Sequence, residues 1–144
     1  MVIGQYKSKL TDKDRVSVPA KFRQEIGEDL IVARWYENCL VLVTKDNWEK
    51  LKNKLIGDLK IVTSTIRDID RFILGSAFEI KLDKQGRFIL PEILLSFSNI
   101  TDEVVFVGLE DRIELWSNES WEIMESVVEE RASKAIEKIA KRKK

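Results

Sequence analysis

Leu82–Pro91 reads LDKQGRFILP, and Leu10–Pro19 reads LTDKDRVSVP. Both phrases place a leucine first, an arginine sixth and a proline tenth. A true duplication keeps the order of its elements as well as one motif, and this one does. After the first phrase come a helical start at Pro19, the apolar run LIVAR, a polar break, the run CLVLV and then TKDNWEKL. After the second come a helical start at Pro91, then EVVFV, a break, RIELW and SNESWEIM. Arg15 and Arg87 are 72 residues apart, and Trp48 and Trp121 are 73 apart, the drift a single inserted loop residue leaves.

Each unit opens with an extended arm, QYKSKL or AFEIKL; Phe78, Ile80 and Leu82 alternate with Glu79 and Lys81, the period of a half-buried strand. A tight turn follows, with Gly86 in one copy and Asp14 in the other at the place that favours a positive φ. VSV and FIL then read as return strands, so each unit is expected to be a hairpin ended by proline. Pro19 fits the first position of a two-turn helix, PAKFRQEIG, that Gly27 closes. LIVAR, CLVLV, EVVFV and RIELW are short, β-branched and aromatic, and the all-apolar ones are expected to be buried on both faces.

Two longer helices stand out. STIRDIDRFILG is expected to be capped by Ser64 and to stop near Gly75. The C-terminal helix starts near Asn118 and repeats Met124, Val127, Val128, Ala132, Ala135, Ile136 and Ile139 every three or four residues. That stripe packs either on its own barrel or between subunits. The expected organisation is a first repeat at 1–56, a connecting helix at 57–75, a second repeat at 76–122 and an amphipathic basic helix at 123–144.

Composition narrows the function. A chain of 144 residues, 44% hydrophobic, buries one modest core or two small interlocked ones. It has no histidine, which excludes imidazole metal sites, Ser-His-Asp triads and histidine acid/base chemistry. The single cysteine, Cys39, lies in an apolar run and reads as a small buried side chain. Asp83 beside a glycine turn superficially suggests a protease carboxylate, but such a site needs two aspartates, and the matching residue is Thr11. No cofactor, metal or small-molecule substrate is expected. No apolar stretch approaches a membrane span or a secretory leader, so the expected compartment is the cytosol.

Formal charge is zero, from 25 basic and 25 acidic side chains, but it is uneven. Residues 1–27 carry Lys7, Lys9, Lys13, Arg15, Lys21 and Arg23 against Asp12, Asp14 and Glu25. Residues 101–130 carry ten carboxylates against Arg112 alone, and the closing RASKAIEKIAKRKK is basic again. A neutral total therefore conceals one face suited to phosphate.

With these motifs in place, the sequence resembles the MraZ family, transcriptional regulators built from two SpoVT-AbrB-type domains. The likeness runs from GQYKSKLTDKDRVSVPAKFR through LGSAFEIKLDKQGRFILP to VGLEDRIELWSNESWE. It implies an α+β, mainly β fold: a pseudo-symmetric double-split β-barrel of two interdigitating repeats capped by helices, assembled as a ring-forming homo-oligomer. It also implies binding of double-stranded DNA at tandem promoter repeats of the division and cell wall gene cluster, with autoregulatory repression and a nucleoid-associated location. The second copy carries the family pattern fully through Leu82, Asp83, Gly86, Arg87 and Pro91. The first departs at Thr11 and Asp14, and Asp14 sets a carboxylate beside Arg15.

An arginine on a tight turn can offer its fork to a guanine edge or a phosphate, or be held by a neighbouring carboxylate as structure. Arg15 and Arg87 are the candidate DNA contacts, with Lys13, Lys21 and Lys84 as phosphate contacts; Lys7, Lys9 and Arg23 are weaker candidates. The alternative function is an antitoxin-like protein-binding module, disfavoured by a tail that reads as a regular helix. RNA binding is disfavoured because no aromatic cluster interleaves with the basic residues.

Overall fold

The protein is described here by a computed structural model covering residues 1–57 and 63–142. Among the described residues the apolar and alternating runs become eight strands: β1 (Ile3–Lys9), β2 (Arg15–Ser17), β3 (Asp29–Arg34), β4 (Leu40–Thr44), β5 (Phe78–Lys81), β6 (Arg87–Ile89), β7 (Glu103–Leu109) and β8 (Ile113–Ser117). The described α-helices are α1 (Ala20–Ile26), α2 (Lys45–Ile56), α3 (Ser64–Ile73), α4 (Glu92–Ser98) and α5 (Asn118–Arg142). The fold is α+β, with every strand pair antiparallel.

The expected hairpins do not form. The arm β1 pairs with β7 and the arm β5 with β3, each in the other repeat, while the return strands β2 and β6 pair with each other. In the first turn only a Thr11–Arg15 bridge joins the arm to the return strand before the chain crosses over. A three-residue strand offers few ladder bonds to its own arm. Pairing with its counterpart instead sets Val16 against Phe88 over the core.

The result is pseudo-twofold symmetric. The large sheet has the order β1-β7-β8-β4-β3-β5, which maps onto itself when the repeats exchange. The axis passes between two pairs of counterparts: Val41 opposite Glu114 in the sheet, and Val16 opposite Phe88 in the small ribbon of β2 and β6. Hydrogen bonds obey the same exchange, since Val18 N–H donates to Gly86 O at 2.9 Å and Leu90 N–H to Asp14 O at 2.8 Å. Among the described residues the strand pairing does not close into a barrel: β1 and β5 remain edges, and the ribbon strands bond to each other.

Alternation along β3, β4 and β7 sends successive residues to opposite faces, so these central strands are buried on both sides as expected, while the edge strands β1 and β5 are largely exposed. On one side Leu30, Val32, Leu40, Leu42, Val104 and Phe106 pack beneath the ribbon, α1 and α4. On the other, Ile31, Ala33, Val41, Val43, Val105 and Val107 meet Trp48 and Leu51 of α2, Ile73 of α3 and the start of α5. Pro19 and Pro91 stand one place before their helices, at the N-cap. The cap of α3 is Thr63, whose Oγ1 accepts from Ile66 N–H at 3.2 Å; Ser64 is the first helical residue. Residues 58–62 of the expected connecting helix, and Lys143 and Lys144 of the tail, lie outside the described residues.

Gly86 is favoured by its backbone conformation. Its φ is +76°, and a Cβ there would collide with Cδ and Nη1 of Arg23, which reaches from α1 to donate to Gln85 O at 2.6 Å. Gly86→Ala is expected to lower stability by about 1–2 kcal/mol in urea unfolding, from left-handed strain alone, because the Arg23 side chain can swing aside. Asp14→Gly, at the matching place, is expected to change it by less than about 1 kcal/mol. A Gly86→Ala protein as stable as the unaltered one would contradict the left-handed turn.

Candidate nucleic-acid interface

The ribbon has an inner and an outer face. Val16, Val18, Phe88 and Leu90 point into the core. The alternate residues, Arg15, Ser17, Arg87 and Ile89, stay at the surface, with Arg15 opposite Ile89 and Ser17 opposite Arg87. Arg15 and Arg87 are thus diagonal neighbours on one face, with Cα atoms roughly 7 Å apart for such a pair. The fold brings together two arginines that the sequence keeps 72 residues apart.

Their surroundings differ. Asp83 organises the second turn: its Oδ1 accepts from the N–H groups of Gln85 and Arg87 at 2.9 Å each, and its Oδ2 from Arg87 Nε at 3.0 Å. Those bonds hold the Asp83 carboxyl below the usual aspartate range, the Arg87 backbone N–H first among them, against a smaller opposing effect of burial. Thr11 takes that place in the first turn. It donates its hydroxyl to Arg15 O at 3.0 Å, which closes the turn but leaves the guanidinium alone. Among the described residues no carboxylate pairs with Arg15. Arg15 is the freer fork, and Arg87 the better positioned one.

Lys13 and Lys84 are exposed at the two turn tips. Lys13 and Asp14 both have left-handed backbone, at φ 66° and 58°. The first tip carries Asp12 and Asp14 beside Lys13 and Arg15 and is neutral; the second carries Asp83 beside Lys84 and Arg87 and is positive by one. Lys21 has its ammonium 5.8 Å from the centre of the Tyr6 ring on β1. Arg23 is committed to Gln85 O beneath the second turn, so it acts as a structural brace.

Sequence reasoning missed the composition of this face, because it paired each return strand with its own arm. Ile89, 53% exposed on a strand whose neighbours are buried, is the residue that alternation could have flagged. Asp83 is spent on its turn, and Cys39 is buried with its thiol pushed well up by desolvation. Among the described residues no cluster of His, Cys, Asp or Glu is placed to hold a metal ion, and no helix is long and apolar enough to cross a membrane.

The ribbon can insert a narrow two-stranded edge into a groove and offer two guanidinium groups, a hydroxyl and an apolar side chain to base edges. Comparison with known proteins agrees with a regulatory chemistry. The family model described as "MraZ protein, putative antitoxin-like" matches twice, at residues 1–72 and 73–143. A protein of Caldicellulosiruptor saccharolyticus named transcriptional regulator MraZ is 37% identical over 142 residues, covering 99% of this chain and 96% of its own. Proteins of the same name are 38% identical in Caldanaerobacter subterraneus subsp. tengcongensis, over 85% of each chain, and 39% identical in Halothermothrix orenii, over 84% of each.

The Asp83 clamp has a pH signature. A carboxyl whose pKa is depressed on folding stabilises the turn above its unfolded value, and that stabilisation is lost as pH falls through the folded one. The Arg87 Nε–H resonance is therefore expected to stay constant from neutral pH through the ordinary aspartate range and to move only below it. The Arg15 Nε–H resonance should show no such step. An Arg87 transition at or above the ordinary aspartate range would contradict the clamp.

Proposed function

This chain belongs to the MraZ family and is a DNA-binding transcriptional regulator, and we propose that the outer face of the β2–β6 ribbon is its reading surface. The observation that carries this reading is the diagonal pair Arg15 and Arg87 on a ribbon whose opposite face is anchored in the core. A two-stranded ribbon fits the major groove, where an arginine fork can take guanine O6 and N7 and an apolar side chain such as Ile89 can meet a thymine methyl. Lys13 and Lys84 at the tips reach phosphates on either side, with Lys21 as a more distant phosphate contact.

One subunit has few such cations, so alone it binds weakly and loses affinity with salt. We take the active species to be a ring-like homo-oligomer on tandem promoter repeats, built from interlocked repeats 1–56 and 76–122 joined by 57–75. The second contact then becomes intramolecular and raises overall affinity by roughly 10² to 10⁴. The target is the promoter of the division and cell wall gene cluster, with autoregulatory repression by a cytoplasmic, nucleoid-associated protein. In the antitoxin-like alternative the tail wraps a partner. The described tail is instead one continuous helix to Arg142, which weighs against it.

Arg15→Ala and Arg87→Ala are each expected to weaken operator binding by roughly 10- to 100-fold per ribbon contact, with the oligomer mass unchanged. Fluorescence anisotropy and light scattering on the same samples decide this; unchanged affinity in both variants would reject the ribbon as the reader. Duplexes carrying three promoter repeats should bind at least roughly 10²-fold more tightly than those carrying one. Equal affinity would reject the tandem-site reading.

A further inference from the structure

Helix α5 spans 25 residues but engages the body only at its start. Trp121 packs at a tilt against Trp116, ring centres 5.5 Å apart, and donates to Gln5 Oε1 at 3.1 Å, and Glu125 accepts from Gln5 Nε2 at 2.6 Å. From Val128 to Arg142 only Ala132 is even half-buried. The expectation that the stripe packs on its own core therefore holds only for its first turns.

The exposed part is not uniformly polar. Met124, Val128, Ala132, Ala135 and Ile139 follow one another at spacings of four, four, three and four, which aligns them along one side of a helix, with Ile136 beside them. Val128, Ile136 and Ile139 are 42%, 66% and 54% exposed. An apolar row carried this far from the body on an isolated helix calls for a covering surface.

Charge selects the occupant. From Asn118 to Glu130 the helix carries Glu119, Glu122, Glu125, Glu129 and Glu130 with no basic residue, and from Arg131 to Arg142 it carries Arg131, Lys134, Lys138, Lys141 and Arg142 against Glu137. A nucleic acid or an anionic membrane would be repelled by the first half. A parallel helix of the same sequence would set like charge against like. An antiparallel one sets each acidic half against a basic half and opposes the two helix dipoles.

We propose that the projecting part of α5 pairs antiparallel with α5 of a second copy of this chain, apolar row to apolar row, crossing near Ala132. The small side chains of Ala132 and Ala135 let the two axes approach closely there. The contact is isologous, the same patch on both partners, whereas a ring closes through heterologous contacts. It is therefore a separate association that links two subunits or two rings, and it stands whether or not the ribbon reads DNA.

The test uses the full chain with Ile136→Glu and Ile139→Glu together, both at exposed positions, with circular dichroism to confirm the fold. Sedimentation equilibrium is expected to show the mass falling by half relative to the unaltered protein. Orientation is read from single cysteines, because an antiparallel pair crossing at Ala132 sets Val128 beside Ile136 of the other copy. A mixture of Val128→Cys and Ile136→Cys proteins should form a disulfide that neither forms readily alone; native Cys39 is buried and does not compete. An unchanged mass, or a Val128→Cys protein that cross-links alone as readily as the mixture, would overturn the pairing. Loss of operator binding at unchanged mass would assign the stripe to DNA and overturn it equally.

Discussion

Val16 and Phe88 face each other across the pseudo-twofold axis, each on a strand of three residues. Neither strand could persist alone, because so short a segment forms too few ladder bonds to offset the order it requires. Paired, they bury Val16 and Phe88 on the core side and draw Val18 and Leu90 into reciprocal hydrogen bonds with the opposite turn. That closure forces each arm to find its partner in the other repeat, as β1 does with β7 and β5 with β3. The two halves of the chain are consequently one folding unit, with a shared core rather than two adjoining ones.

The same pairing creates the outer face proposed to read DNA. Strand alternation sends Arg15 and Arg87 outward for the same reason that it sends Val16 and Phe88 inward. Symmetry places the arginines together, and departures from symmetry give them different environments. In the second turn Asp83 holds the guanidinium through Arg87 Nε, while Arg23 braces the turn at Gln85 O. In the first, Thr11 and Asp14 keep the turn but leave Arg15 without an ionic partner among the described residues. On the proposed reading, this face offers DNA one preorganised fork and one adaptable fork.

Much of this was legible in the residues. The duplicated phrase, the alternation in AFEIKL, the all-apolar runs of β3, β4 and β7, and the positive φ at Gly86 and Asp14 all follow from local chemistry and appear in the structure. Strand partners did not, because a return strand of Val16 type is equally apolar whether it pairs with its own arm or with its counterpart. The choice is made by tertiary burial, and no local pattern records it. For the same reason Arg23 read as a surface cation although it supports the second turn, and Ile89 passed unnoticed although it completes the outer face. The cap of α3 was misplaced by one residue, Ser64 for Thr63, since both hydroxyls satisfy the sequence rule and only the backbone entering the helix decides between them.

If the ribbon is the reading surface, occupancy by DNA should leave its mark on that surface before any other. Hydrogen–deuterium exchange of the assembled protein, with and without a duplex taken from upstream of its own gene, measures this along the backbone. The expected result is added protection confined to Thr11–Ser17 and Asp83–Ile89, the turns and strands that carry Arg15 and Arg87. Protection centred on α3 or α5 with none on these two segments would contradict the account.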